Sequence, residues 1–475
     1  MSVDPRLAAT LARHNQQHLL RWWDDLTPEA RDVLAAEIAG IDFDRLTDLV
    51  ERLVRDESPI VADPALVRPI AVNRLPRTDG DRVARRHAAE IGEVALRRGE
   101  VAVVIVAGGQ GTRLGFDGPK GTFPIGPVSG ASLFQIHAEK IVALGRRFKT
   151  TIPLYVMTSP ENHDATVGFF AAHANFGLDH VRFFVQGRMP AVDRETGQVL
   201  LAEKGHVALS PDGHGGTIAA LAAPGPLGLP SCLDEMRDRG IQTVFYFQVD
   251  NPLVQIADPA SIGLHRQAEA EISFKVVEKI LPDEKVGLVV EIDGRPQVIE
   301  YSDLSTDLAE RRAPDGSLEL WAGSIAIHLF DRAFLERLAT GGGRLPFHRA
   351  IKKSQYVDPN GITVQPESPN GVKFETFIFD ALPLAERYCL IEADRALEFE
   401  PLKNATGPDS PATVRRRMSD LFAGWLEHAG VKVPRHSDGS IPFDIEISPM
   451  FALDAAELKA KLPRDVVVDG PLYLS

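Results

Sequence analysis

Short apolar runs alternate with stretches of helical period through the middle of the chain. Val101–Val106 is apolar without interruption and runs into glycines at 108, 109, 111 and 115. Residues 152–157 end at Thr158-Ser159-Pro160, 181–186 at Gly187, and 243–250 at Asn251-Pro252. Runs this short, bounded by turn formers, read as buried strands. Between them, 83–98 has helical period, and Ser132 with Gln135 three residues on has the capping-box signature of a helix start. Such alternation predicts an α/β fold, a Rossmann-like and mostly parallel sheet flanked by helices. In sheets of this kind ligands bind beyond the carboxyl ends of the strands. The glycine loop, Gln186 and Asp250 all fall at those ends.

The flanks read differently. Residues 1–60 look helical, with Leu19, Leu20, Trp22 and Trp23 as one apolar patch and Thr27-Pro28 as a cap followed by proline. Pro64, Pro69, Pro76 and Asp79-Gly80 mark a connector. Residues 285–328 alternate apolar and polar in short runs, as antiparallel strands roofing a site would. Gly407-Pro408-Asp409-Ser410-Pro411 is a second boundary, followed by a helix near 411–429 and a short β-rich tail. The expected organisation is a helical segment over 1–95, a catalytic domain over 96–405 and a small α+β domain over 406–475.

Composition narrows the function. The 475 residues are 44% hydrophobic and 25% charged, ordinary for a globular protein. A formal charge of −14 disfavours nucleic acid or an anionic membrane as partner. An acidic protein that binds a polyanion must concentrate its positive charge and recruit a divalent cation. Cys232 and Cys389, the only cysteines, read as buried small hydrophobes without a disulfide. No apolar run approaches a spanning helix and the N-terminus lacks signal-peptide features, so the expected compartment is the cytoplasm.

The run Val106-Ala-Gly-Gly-Gln-Gly-Thr-Arg-Leu-Gly-Phe-Asp-Gly-Pro-Lys-Gly121 carries the chemistry. Glycines let backbone N–H groups crowd an anion, Arg113 and Lys120 add charge, and a helix follows: a phosphate cradle. It is not a Walker A loop, since Lys120 is followed by Gly121 rather than Ser or Thr. Nor is it a dinucleotide fingerprint, since Leu114 stands where the third glycine belongs, which disfavours a nicotinamide-dependent oxidoreductase. Asp250 ends an apolar run and reads either as a Mg²⁺ ligand or as a turn aspartate.

With Pro-Lys-Gly, this loop resembles the signature of sugar-nucleotide pyrophosphorylases, most closely the UDP-N-acetylglucosamine pyrophosphorylase type of the UDP-glucose pyrophosphorylase family. Gln186-Gly-Arg-Met-Pro190, Pro211-Asp-Gly-His-Gly-Gly216, Val249-Asp-Asn-Pro-Leu253, Val286-Gly-Leu-Val289, Val298-Ile-Glu-Tyr-Ser302, Pro369-Asn-Gly-Val-Lys373 and Pro401-Leu-Lys-Asn-Ala405 follow in the family's order. The resemblance implies a nucleotidyltransferase, glycosyltransferase-A-like fold and a UTP-dependent sugar-1-phosphate uridylyltransferase using Mg²⁺. Its substrates would be UTP and a sugar 1-phosphate, its products a UDP-sugar and pyrophosphate. Arg113, Lys120 and Lys403 would hold reacting phosphates, although Lys403 by composition alone is an ordinary surface lysine. Gly108, Gly109, Gly111, Gln186 and Gly213 would meet the nucleotide, and Asp250 the metal. His214, Gly287, Glu300, Tyr301, Phe377 and Phe379 would line the sugar site, with core packing the alternative for both phenylalanines.

The sugar blocks depart from the acetamidosugar pattern. Gly213-His214-Gly215-Gly216 replaces Gly-Asn-Gly-Gly, and Trp321-Ala322-Gly323-Ser324 replaces Asn-Ala-Gly-Asn. N-acetylglucosamine 1-phosphate is the expected substrate, with a UDP-glucose or broad-specificity enzyme as the rival. A non-catalytic UDP-sugar sensor is the rival outside catalysis, and retention of Arg113, Lys120, Asp250 and Lys403 together argues against it.

Overall fold

In the computed structural model, which describes residues 3–56, 63–342, 345–463 and 466–475, the chain forms two compact units. The smaller gathers Met1–Val61, Gln186–Thr217 and Arg344–Asp380; the larger gathers Ala62–Val185, Ile218–Gly343 and Ala381–Ser475. Neither is continuous in sequence.

The larger unit is built on one twisted sheet. Strands β1 (Val101–Val106), β2 (Leu154–Thr158), β3 (Val181–Val185) and β4 (Thr243–Gln248) lie parallel in the order β4-β1-β2-β3. Strand β5 (Ile272–Glu278) runs parallel to β8 (Tyr388–Glu392). Between β4 and β5 lies the long β7 (Ala322–Asp331), antiparallel to both, and β6 (Leu288–Ile292) pairs with Arg295–Ile299. The expected parallel strands and the expected antiparallel strands of 285–328 are therefore all present. Residues 101–105 are buried on both faces, which is why the run is apolar without alternation.

Helices cover the sheet: α1 (Asp79–Arg97), α2 (Leu133–Phe148), α3 (Pro259–Gln267) and α4 (Pro411–His428). Ser132 caps α2 by accepting from the Gln135 amide at 3.1 Å, while the Gln135 side chain turns to Glu139 instead of closing the box. Helix α4 starts at Ser410 and Pro411, as its sequence predicts, and buries Val414, Met418, Phe422 and Leu426 in the core that holds the β1–β2 residues. Gly92 and Gly263 sit where α1 and α3 meet; a Cβ on Gly263 would lie 1.7 Å from the Ala88 carbonyl oxygen.

The smaller unit packs three helices, Pro5–Arg13, Pro28–Ala39 and Phe43–Val50, with the Phe347–Lys352 and Gly371–Thr376 strands. Its core runs from Leu11, Leu34, Ile38 and Leu46 to Val192, Val372 and Phe374. Trp23, expected in the N-terminal apolar patch, is part of it. Cys232 and Cys389 are free and buried.

Candidate active site

The glycine loop follows β1 and closes on itself. The Gly111 amide donates to the Gly118 carbonyl at 2.9 Å and the Lys120 amide to the Gly109 carbonyl at 3.0 Å. A Cβ on Gly111 would meet Phe116 at 2.7 Å, and Gly115 has φ 68°. Gly109 is exposed, with open space where a Cβ would sit. Among the described residues the Gly108, Gly109 and Gln110 amides donate to no backbone carbonyl, so they remain available to an anion. Asn162 braces the loop from behind: its amide donates to the Ala107 carbonyl at 2.8 Å and accepts from the Ser159 amide. Arg113 lies exposed on the short turn Thr112–Leu114.

Three candidates far apart in sequence meet beside this loop. Lys120 Nζ lies 3.5 Å from Asp250 Oδ2 and donates to the Leu402 carbonyl at 3.1 Å. The Leu402 amide in turn donates to the Asp250 carbonyl at 2.8 Å, which brings Lys403 to the same edge. The side chains of Lys120 and Asp250 are 18% and 14% exposed, so Lys120 is not a solvated surface lysine. No cluster of three or more metal-ligating side chains occurs among the described residues. Asp250 is thus not part of an all-protein metal cage. That fits Mg²⁺, which is held by one or two carboxylates with waters and substrate phosphates completing its shell.

The larger unit also brings three sugar blocks together. A Cβ on Gly287 would sit 3.0 Å from Glu300 Oε1, and the Ser324 amide donates to the Gly287 carbonyl at 2.8 Å. Tyr301 next to them is exposed. Trp321, which replaces a family asparagine, lies under the Arg74 guanidinium at 3.8 Å, and Arg74 pairs with Glu392.

The smaller unit carries the rest. Gln186 Nε2 donates to the Gly213 carbonyl at 2.7 Å. Gly213 has φ 84°, and a Cβ there would lie 2.3 Å from the Thr376 carbonyl oxygen; one on Gly216 would lie 2.1 Å from Asp212 Oδ1. These contacts explain why the block is glycine-rich: its turn lies directly on Thr376. The imidazole of His214 packs 5.3 Å from Phe377 and 5.9 Å from Phe379, whose rings stack 5.0 Å apart. Burial, helped by the nearby charge of His348, lowers the His214 pKa to about 4. The Ile378 amide donates to His214 Nδ1, so the neutral ring carries its proton on Nε2. One pair here, His348 with Asp380, has no local signature in the sequence. His348 lies 4.7 Å from Phe377 and pairs with Asp380 at 2.8 Å. Asp212 is held above the ordinary carboxylate range by burial, which outweighs its hydrogen bond from Gln186.

Residues 68–423 match the UTP–glucose-1-phosphate uridylyltransferase family model. The chain belongs to this family. As a family member it is a nucleotidyltransferase, and its relatives agree along nearly their whole length. It is 38% identical to the UDP-N-acetylhexosamine pyrophosphorylase-like protein 1 of Homo sapiens, covering 97% of this chain and 95% of that protein. It is 37% identical to the UDP-N-acetylglucosamine pyrophosphorylase of Saccharomyces cerevisiae, covering 88% and 90% respectively. Among solved structures, the uridine diphosphate N-acetylglucosamine pyrophosphorylase of Trypanosoma brucei, bound to an inhibitor, superposes with a TM-score of 0.84 at 28% identity. That match covers 100% of this chain and 99% of the other. Uridylyltransferases of this kind generally need a divalent metal, and no described helix of this one is long and apolar enough to cross a membrane.

Proposed function

We propose that this uridylyltransferase joins UTP to N-acetylglucosamine 1-phosphate, giving UDP-N-acetylglucosamine and pyrophosphate. The observation that carries the reading is the meeting of Lys120, Asp250 and the Leu402-Lys403 segment beside a glycine loop with free amides. A phosphate oxygen of the sugar 1-phosphate attacks the α-phosphorus of UTP. The new P–O bond forms as the bond to the β-phosphate oxygen breaks, and pyrophosphate leaves. A phosphomonoester is largely dianionic at pH 7, with a second pKa of about 6, so no general base is needed. Catalysis is alignment and charge neutralisation, the work of Arg113, Lys120, Lys403 and the amides of Gly108, Gly109 and Gln110. Asp250 would hold Mg²⁺, which screens the phosphates from one another.

Gln186 suits uracil. Its side-chain N–H is directed to the Gly213 carbonyl, which leaves Oε1 to accept the uracil N3–H. Cytosine offers an acceptor at that place. His214, with Nδ1 engaged, offers Nε2–H to an oxygen of the sugar or its acetamido group, and Phe377 and Phe379 offer an apolar face to the acetyl methyl. The test is pyrophosphate release. It should require UTP, fail with CTP, stop with chelator and return with Mg²⁺; full turnover in chelator, with metal shown absent, would refute the metal part.

A further inference from the structure

The turn that carries Asp250 is held from behind by two side chains that no motif marks. Residues 249–254 follow β4, past the end of the sheet ladder, where carbonyls need partners. The Val249 carbonyl lies 3.0 Å from His137 Nε2. The Asp250 carbonyl accepts from the Leu402 amide. The Pro252 and Val254 carbonyls both accept from Lys140 Nζ, at 2.5 and 2.9 Å. Asn251, 4% exposed, donates to the Glu398 carbonyl at 2.7 Å, so the chain leading to Lys403 is tied to the same turn.

His137 and Lys140 stand three residues apart on α2 and so share one face of it. Helix α2 starts at Ser132, a short way after the glycine loop, and the Leu133 amide bonds the Phe123 carbonyl. One rigid element therefore touches both the loop that cradles phosphate and the turn that presents the carboxylate. His137 is 1% exposed, and burial lowers its pKa to about 3, so it meets Val249 as a neutral N–H donor. Lys140 is engaged by carbonyls at two places in one turn, which a shorter or single-donor side chain would not hold together.

We infer that Lys140, with His137, is a positioning residue that fixes the Asp250 carboxylate for the metal. The inference rests on the reading of Asp250 as the metal ligand. Groups that orient a ligand from behind typically change metal affinity by about 10- to 100-fold when removed.

The test measures Mn²⁺ affinity of the whole enzyme by loss of the free-ion EPR signal, beside Mg²⁺ activation of pyrophosphate release and the melting temperature. Lys140→Met should weaken Mn²⁺ binding by about ten-fold or more and raise the Mg²⁺ requirement in step. Lys140→Arg, which keeps the N–H donors, should recover most of the loss. His137→Phe, which keeps the ring and removes the donor, should move both readouts in the same direction, and it stands in if Lys140→Met does not fold. On an Asp250→Asn background, Lys140→Met should add no further weakening. Unchanged Mn²⁺ affinity in Asp250→Asn removes the metal reading and the inference with it. A shift in Asp250→Asn, with unchanged affinity in Lys140→Met and His137→Phe, overturns the inference alone and leaves both as packing residues.

Discussion

Residue by residue, the sequence shows which chemistry is present and rarely shows what it touches. Gly213 is legible as a turn glycine, yet its reason is the Thr376 backbone more than 160 positions away. His348 and Asp380 carry no local signature, because a lone histidine or aspartate gains meaning only from a partner brought by the fold. Lys120 and Lys403 are the sharpest residue-scale test. Alanine at either should lower kcat/KM by roughly 10²–10⁴, the scale of removing one charge-stabilising group at a transition state. Their folding effects should differ. Lys403→Ala should change stability by less than about 0.5 kcal/mol. Lys120→Ala should destabilise measurably, since it removes the contacts to Leu402 and Asp250. Near-normal turnover in both variants would contradict the assignment.

At the scale of elements, many limits of strands and helices were legible because chemistry within four residues decides them; the start of α1 was not, since Asp79 and Gly80, read as connector, form its first turn behind the Thr78 cap. Apolar runs stop at Gly187 and at Asn251-Pro252, and the strands end just before them. Sheet order was less accessible. The insertion of antiparallel β7 between β4 and β5 depends on pairings across roughly 45 to 90 residues, which no local pattern encodes. Helix α4 shows what a local signal is worth. Ser410 is 2% exposed and caps it through the Thr413 amide, with Pro411 at its first position. Ser410→Ala should cost about 1 kcal/mol in urea unfolding without changing the slope, and Ser410→Asp should restore most of it. Equal stability of the alanine variant and the parent would show that α4 does not need the cap.

Across the whole molecule, the two compact units are each assembled from separated segments, so linker composition, which marks only contiguous boundaries, could not reveal them. Buried histidines give the molecule a shared pH response. Burial lowers His137 and His265 to about 3 and His214 to about 4, while the unfolded chain titrates at about 6.5. Between those values the unfolded state binds more protons, so stability rises with pH there and falls as pH drops below about 6.5. His265→Gln removes one such group. Its melting temperature should therefore fall less than the parent's between pH 7 and pH 5, and equal falls would contradict this. The central claim is an acetamidosugar uridylyltransferase despite His214 and Trp321 in place of the family's asparagines. It is tested most directly by kcat/KM for pyrophosphate release with UTP and either N-acetylglucosamine 1-phosphate or glucose 1-phosphate. An apolar acetyl pocket at Phe377 and Phe379 predicts a preference for the acetylated sugar of roughly 10- to 200-fold. A higher value for glucose 1-phosphate, or no pyrophosphate from either sugar, would contradict the account.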